Sequence, residues 1–311
     1  MHQKASSPVG RSKIMMIAVA SSMILAGCGG GSAKTAAPSG TDNPAGNSDS
    51  VQAAAAKLLP DKTRKSGVLR IATSLQWPPF GYKGSDGKPT GLDIELTQGI
   101  AKRLGLTPQI TDVQFPTLVP GVATGRFDIA VNELADTAER RKEAQFVDYY
   151  DTGLALLVKK GTTGIAPNDL CGHSLALTQG SSQVAIAQDI SAKCVADGKK
   201  KIKFVTVPES AATILAVSSG RAEGFLTDNA VGVYMSKSTH TNLEVIPGKV
   251  PSPSQRAGIV IKKGNDELTR AVQSALQSMI DDGTYAKLYK KYNVRADNML
   301  TKATINDGRG L

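Results

Sequence analysis

The chain has 311 residues, a length that allows about two domains. A hydrophobic fraction of 41% and an aromatic fraction of 5% suit an ordinary soluble globular protein. The formal charge of +10 is diffuse, its longest basic run being Lys199-Lys200-Lys201. Such a surface argues against a nucleic-acid partner and leaves either a solvated face or attraction to anionic membrane or wall polymers.

Residues 1–13 are basic and polar, and residues 14–26 form an apolar run too short to span a bilayer. Charge order and length make residues 1–27 a signal peptide. The run ends in Leu25-Ala26-Gly27-Cys28, which resembles the bacterial lipobox. The resemblance implies that Cys28 takes a diacylglyceryl group and becomes the first residue after cleavage. The Gly-, Ser-, Ala- and Pro-rich stretch that follows cannot bury a core, so residues 28–60 are expected to be a flexible tether. The expected location is therefore extracytoplasmic, on the outer face of the cell membrane. Cys171 and Cys194 are the remaining cysteines. Oxidising surroundings favour a disulfide between them, and two free buried thiols are the alternative. The histidines, His2, His173 and His240, fall at no ligand spacing, so neither a metal nor a cofactor is expected.

In the globular part, residues 68–73 read as a buried strand running into the proline-stiffened loop Trp77-Pro78-Pro79-Phe80. Leu92, Leu96, Ile100 and Leu104 recur every four residues, which predicts an amphipathic helix closed by Gly105. A strand at 107–113, a helix at 115–124 and a strand at 127–131 follow. This alternation implies a parallel α/β sheet. Asp136-Thr137-Ala138-Glu139-Arg140 comes next. Asp136 with Glu139 three residues on reads as a capping box, so a helix is expected to start there. A helix start suits an anion, and a guanidinium at Arg140 can grip a carboxylate through two parallel bonds.

A second α/β pattern begins after the apolar strand at 153–159. Strands are predicted at 174–177, 203–207 and 222–226, and helices at 183–196, 209–218 and 230–236. Residues 257–264 echo residues 154–161, which suggests two crossing strands joining the same pair of lobes. Amphipathic helices at 266–281 and 284–292 close the pattern. Trp77, Phe115, Arg140, Ser181 and Asp228 all lie near strand ends, where open α/β sheets bind ligands.

From about residue 66 to 293 the chain resembles the polar amino-acid-binding proteins of ABC importers, solute-binding protein family 3. The features that carry this are Trp77-Pro78-Pro79-Phe80, Gly91-Leu92-Asp93-Ile94-Glu95-Leu96, Gly125-Arg126-Phe127-Asp128, the Asp136 to Arg140 stretch, Phe146-Val147-Asp148-Tyr149-Tyr150, Gly220-Arg221-Ala222-Glu223-Gly224 and Thr227-Asp228. The resemblance implies a two-lobe type II fold, with two parallel-rich sheets joined by two crossing strands. Lobe I would span 61–158 and 256–311, and lobe II 159–255. The implied partners are an amino acid, an ABC permease and its ATPase, with the protein a monomer.

Carried over by position, the resemblance gives Arg140 the ligand α-carboxylate, helped by backbone near Ala135 and Thr137. It gives Asp228 the α-ammonium. Trp77 and Phe115 would clamp the ligand from one lobe, and Thr178, Ser181 and Ser182 would meet it from the other; Phe80 reads as scaffold. Glu133 and Ala135 stand where relatives carry small hydroxyl or glycine residues. A Glu133 that points inward would, with Asp228, prefer a ligand carrying extra positive charge. Ser74, standing where some relatives of basic-ligand type carry an acid, argues the other way. Two other functions remain: an enzyme on the same fold, resembling cyclohexadienyl dehydratase, for which Glu133 is the one plausible acid or base, and a sensory ligand-binding module.

Overall fold

The computed structural model describes residues 54–238 and 241–309. The signal peptide, Cys28 and the expected tether up to residue 53 lie outside the described residues. In chain order, α1 (Asp61–Ser66) leads into β1 (Val68–Thr73) and the short strands β2 (Gln76–Trp77), β3 (Gly81–Lys83) and β4 (Pro89–Thr90). There follow α2 (Leu92–Arg103), β5 (Thr107–Asp112), α3 (Leu118–Ala123), β6 (Ile129–Ala130), β7 (Ala144–Thr152) and β8 (Leu154–Lys159). Next come β9 (Ser174–Thr178), α4 (Ser182–Ala196), β10 (Lys203–Val207), α5 (Ser210–Ser218), β11 (Gly224–Asp228), α6 (Asn229–Lys237) and β12 (Leu243–Ile246). The chain ends through β13 (Gln255–Lys262), α7 (Asp266–Asp281), α8 (Thr284–Lys291) and β14 (Met299–Ile305).

Two sheets carry the architecture. The first has the order β14-β7-β13-β6-β1-β5, and the second β10-β9-β11-β8-β12. In the first, β1 runs parallel to β5 and β6, while β13 runs antiparallel to β6 and β7. In the second, β9 runs parallel to β10 and β11, while β8 runs antiparallel to β11 and β12. Each lobe is thus a βαβ core with antiparallel strands added where the chain changes lobes.

The first change of lobe is at Gly153, between β7 and β8; the return runs through residues 247–254. The expected boundary at 158/159 therefore lies too late. Leu154 to Val158 are all buried, so β8 is a central strand of the second sheet. An uninterrupted apolar run fits the middle of either sheet, and its sequence does not say which. The two strands that echo each other, β8 and β13, accordingly sit in different sheets.

The helices form for legible reasons. On α2, Leu92, Leu96 and Ile100 are buried, Asp93 and Glu95 occupy the first turn, and Lys102 and Arg103 the last. This charge order complements the helix dipole. Gly91 must be glycine: a Cβ there would lie 2.1 Å from the Phe80 carbonyl oxygen. On α7, Leu268, Ala271, Val272, Ala275, Leu276 and Met279 face the core, and the Asn265 side chain accepts from the Leu268 amide. Phe80 is wholly buried against Tyr150, as a scaffold residue should be.

Two expectations need correction, and a third, the disulfide, holds. Residues 54–60 are not tether: Ala55 and Leu59 are 1% and 4% exposed and pack into the first-lobe core. Small apolar residues at helical spacing give that end a face to bury. The two helices do not close the fold, because β14 adds an edge strand to β7, with Leu300 and Ala303 buried. Cys171 and Cys194 are joined as a disulfide, which ties the segment before β9 to α4.

Candidate functional site

The loop after β6 builds one wall. Asn132 is buried, and its Oδ1 accepts from the Ser74 amide at 2.8 Å. Glu133 takes a left-handed backbone conformation at φ 48°, and its amide donates to Asp93 Oδ2 at 2.8 Å. Its carboxylate accepts from Trp77 Nε1 at 2.9 Å. Residues 134–136 then run beside β13: the Gly258 amide donates to the Leu134 carbonyl, and the Asp136 amide donates to the Arg256 carbonyl.

That pairing explains why the capping box does not form. Asp136 is buried and pairs with Arg141 at 3.1 Å instead of capping a helix. Arg140–Lys142 is a single 3-10 turn, and Thr137 Oγ1 accepts the Arg140 amide at 3.2 Å. The side-chain oxygen at the turn is thus supplied by Thr137. Thr137 serves the loop and does not line the cleft.

Arg140 reaches across the cleft mouth. Nη1 donates to the Ala135 carbonyl at 2.7 Å and Nη2 to the Gly180 carbonyl at 2.9 Å. Its guanidinium stands 5.9 Å from the Phe115 ring centre. Burial pulls its pKa down to about 10, against the attraction of Glu133 and Asp136, so it stays charged at neutral pH.

The second lobe supplies the other wall. Gly180, at φ 75°, makes the turn between β9 and α4 that a side chain would strain. Ser181 is the residue before the first turn of α4, and Ser182 Oγ donates to Gln255 Oε1 at 3.2 Å across the lobes. Trp77 meets Phe225 edge to face, ring centres 6.0 Å apart. The cleft together with the open solvent at its mouth amounts to about 500 Å³, of which about 30 Å³ is cavity proper.

Of the sequence-predicted residues, Trp77, Phe115, Glu133, Ala135, Arg140, Thr178, Ser181 and Ser182 line this cleft together. Asp228 does not. It is fully buried; its Oδ1 accepts from the Tyr150 hydroxyl at 2.9 Å and the Ala230 amide at 2.7 Å, and its Oδ2 from the Gly153 amide at 3.3 Å. It caps α6, because it ends β11 one residue before the helix and Tyr150 from the first lobe covers it. Burial raises its pKa to about 6. Asn132, Thr152, Ser210, Phe225 and Gln255 line the cleft without having been singled out. Of these, Asn132 sits just past a strand end, a signal that would have found it.

The polar lining is under-bonded. Asn132 Nδ2, Thr178 Oγ1, Ser181 Oγ and Gln255 Nε2 are buried with no hydrogen-bond partner among the described residues. Glu133 is held well above the usual carboxylate range, chiefly by burial and then by Asp228, against the bond from Trp77. Asp93, bonded by the Tyr149 hydroxyl at 2.6 Å, is raised by burial to about 7. The arrangement offers a cation, an acid and loose donors around one small space.

Residues 69–295 match the family of bacterial extracellular solute-binding proteins, family 3. The arginine-binding protein ArgT of Corynebacterium glutamicum is 26% identical, over 80% of this chain and 82% of its own length. The L-cystine-binding protein TcyJ of Escherichia coli K12 is 28% identical, over 78% of this chain and 89% of its own. Among solved structures, an ancestral arginine-binding protein bound to arginine is 31% identical and superposes with a TM-score of 0.64, covering 73% of this chain and 98% of that one. The architecture is the two-lobe type II periplasmic-binding-protein fold. With the family match spanning most of the chain and both lobes in place around one cleft, this protein belongs to the family 3 bacterial extracellular solute-binding proteins.

Proposed function

We propose that the protein captures a polar or basic amino acid between its lobes and delivers it to an ABC permease driven by its ATPase. One observation carries the reading: Arg140 and Glu133 face the same cleft, among buried donors and acceptors that lack partners. A buried polar group left unpaired costs about 1–3 kcal/mol, so a ligand that pairs several of them binds with matching gain. A zwitterion supplies both the carboxylate for Arg140 and the positive group for the acids. Relatives described as binding arginine, cystine and glutamine support the same class.

The roles follow from place. Arg140 takes the ligand carboxylate, with backbone near Ala135 and the first turn of α4 as auxiliary donors. Glu133 takes the positive group, and Asp228 backs it from behind. Trp77 and Phe115 flank the ligand; Thr178, Ser181 and Ser182 close on it from the second lobe; Thr137 steadies Arg140. Cys28 carries the lipid that holds the monomer at the outer face of the cell membrane.

A second reading has two observations in its favour. Glu133 has the raised pKa that a general acid needs, and a structural neighbour is an ancestral amino-acid-binding protein described as a precursor of cyclohexadienyl dehydratase, 30% identical over 76% of this chain with a TM-score of 0.62. Turnover of prephenate-like acids would establish it.

A thermal-shift screen over the twenty amino acids, polyamines and betaines tests the main reading. A true ligand stabilises by about 2.7 kcal/mol at a hundredfold excess over Kd. A screen in which no amino acid raises the Tm contradicts it.

A further inference from the structure

The surroundings of Glu133 hold more acid than base. From α2, Asp93 accepts from the Glu133 amide and from the Tyr149 hydroxyl. From the end of β11, Asp228 repels the Glu133 carboxylate. Tyr149 and Tyr150, on β7, are neutral phenols whose protons bond to those two aspartates. From the first lobe, Trp77 donates its indole N–H. The cation acting on Glu133 is Arg140, which already spends two N–H groups on the Ala135 and Gly180 carbonyls and is needed for the ligand carboxylate.

A ligand of zero net charge leaves this imbalance as it stands: three carboxyl groups share one guanidinium, and two of them, Asp93 and Asp228, are fully buried. Like charges that close cannot all ionise at ordinary cost. A ligand that brings one more positive charge lessens the imbalance. The lining agrees by an independent route, since Trp77, Phe115 and Phe225 put three aromatic rings around the cleft. Aromatic faces attract cations, most strongly where water is excluded.

Resting on the amino-acid reading above, we propose that the ligand has a cationic side chain, a guanidinium or a second ammonium, and that Glu133 is the residue that selects it. Glu133 is suited to this by position. It occupies the cleft wall in person, whereas Asp228 is saturated by Tyr150, Gly153 and Ala230. Its left-handed backbone turns the loop at that residue, and the Trp77 indole fixes its carboxylate.

The test compares arginine with citrulline, which has the same length but a neutral urea end. Titration calorimetry at pH 8 on the wild-type protein should give arginine or lysine an affinity at least about tenfold above citrulline and glutamine, a difference of about 1.4 kcal/mol. In Glu133→Gln that ratio should fall towards one. In the wild type, arginine affinity should rise between pH 5.5 and 8 as Asp93 and Asp228 give up protons, while citrulline affinity changes less. Citrulline or glutamine binding as tightly as arginine and lysine overturns the proposal and leaves the amino-acid reading intact. So does a ratio unchanged in Glu133→Gln, or, should that variant fail to fold, a pH dependence equal for arginine and citrulline. Failure of every amino acid to bind overturns both.

Discussion

Arg140 of the first lobe donates to the Gly180 carbonyl of the second at 2.9 Å. The same guanidinium is held by the Ala135 carbonyl on its own side. A group assigned to the ligand carboxylate is therefore also a bond between the lobes. Two further bonds repeat the pattern, from Ser182 to Gln255 and from Tyr150 to Asp228. Capture and closure share side chains, which is how differential contact with one ligand can favour one arrangement of two lobes.

Arg140→Ala should abolish the ligand-induced thermal shift without unfolding the protein, since the Arg141, Lys142 and Glu143 amides hold the loop through the Thr137, Glu139 and Arg140 carbonyls. Arg140→Lys keeps the charge but loses the two-pronged grip. Losing a charged hydrogen bond costs about 1.5–3 kcal/mol, so Arg140→Lys should weaken binding roughly 10- to 100-fold. Calorimetry showing wild-type affinity in either variant would contradict the assignment.

Stability should depend on pH in an unusual direction. Asp228, Asp93 and Asp148 are raised by burial to about 6, about 7 and about 7. Unfolded aspartates lose their protons near pH 3.9. Between that value and about 7 the native state holds more protons than the unfolded one. Stability then falls as pH rises through this window and levels above it. Glu223, held low by its bond to His173, is already ionised there and does not offset the trend. The ligand-free Tm should be higher at pH 5 than at pH 8; a Tm that rises over that interval contradicts the burial of these acids.

The end of β14 and the segment after it should matter to the site although they are remote from the cleft. Arg256 pairs with Asp307, Thr304 Oγ1 donates to Asp148 Oδ2 at 3.0 Å, and Gly308 lies against the Asp136 carbonyl. A Cβ at residue 308 would sit 1.8 Å from that oxygen and 2.7 Å from Arg141 Nη1. Such overpacking costs about 1–3 kcal/mol. Gly308→Ala should lower the Tm by a few degrees and weaken ligand binding, because Asp136 shares its loop with Ala135 and Arg140. Lys302→Ala, on the exposed side of β14, should do neither in a parallel melt.

Reducing the Cys171–Cys194 disulfide should destabilise the protein by about 2–4 kcal/mol, the usual effect of opening a loop of this size. The bond shares its core with Leu170 and Ile202, and neither cysteine lines the cleft. A Cys171→Ser/Cys194→Ser protein should melt lower yet bind its ligand with near-normal affinity below the melt. Loss of binding with unchanged Tm would contradict this.

How far the sequence reveals the fold depends on periodicity. Asp266–Asp281 is bounded correctly because its apolar stripe is regular and Asn265 marks the start. Residues 144–152 are harder to place: the charged stretch before Ala144 looks helical, but pairing with β13 and β14 makes a strand. Tertiary pairing overrides local propensity there. At the site, eight named residues meet in one cleft, since strand ends and loop chemistry mark them. The role of Asp136 is hidden because its partner Arg141 is set by the turn of the loop, not by spacing along a helix. Gln255 is hidden because nothing local distinguishes a polar residue opening a strand from one facing solvent.

The central claim is that an amino acid bridges Arg140 and Glu133. The most direct measurement is a crystal structure of the protein with the amino acid that gives the largest thermal shift. The ligand carboxylate should lie within hydrogen-bond distance of the Arg140 guanidinium, and a positive group within that distance of the Glu133 carboxylate. A ligand seated elsewhere, or one whose carboxylate avoids Arg140, would contradict the account.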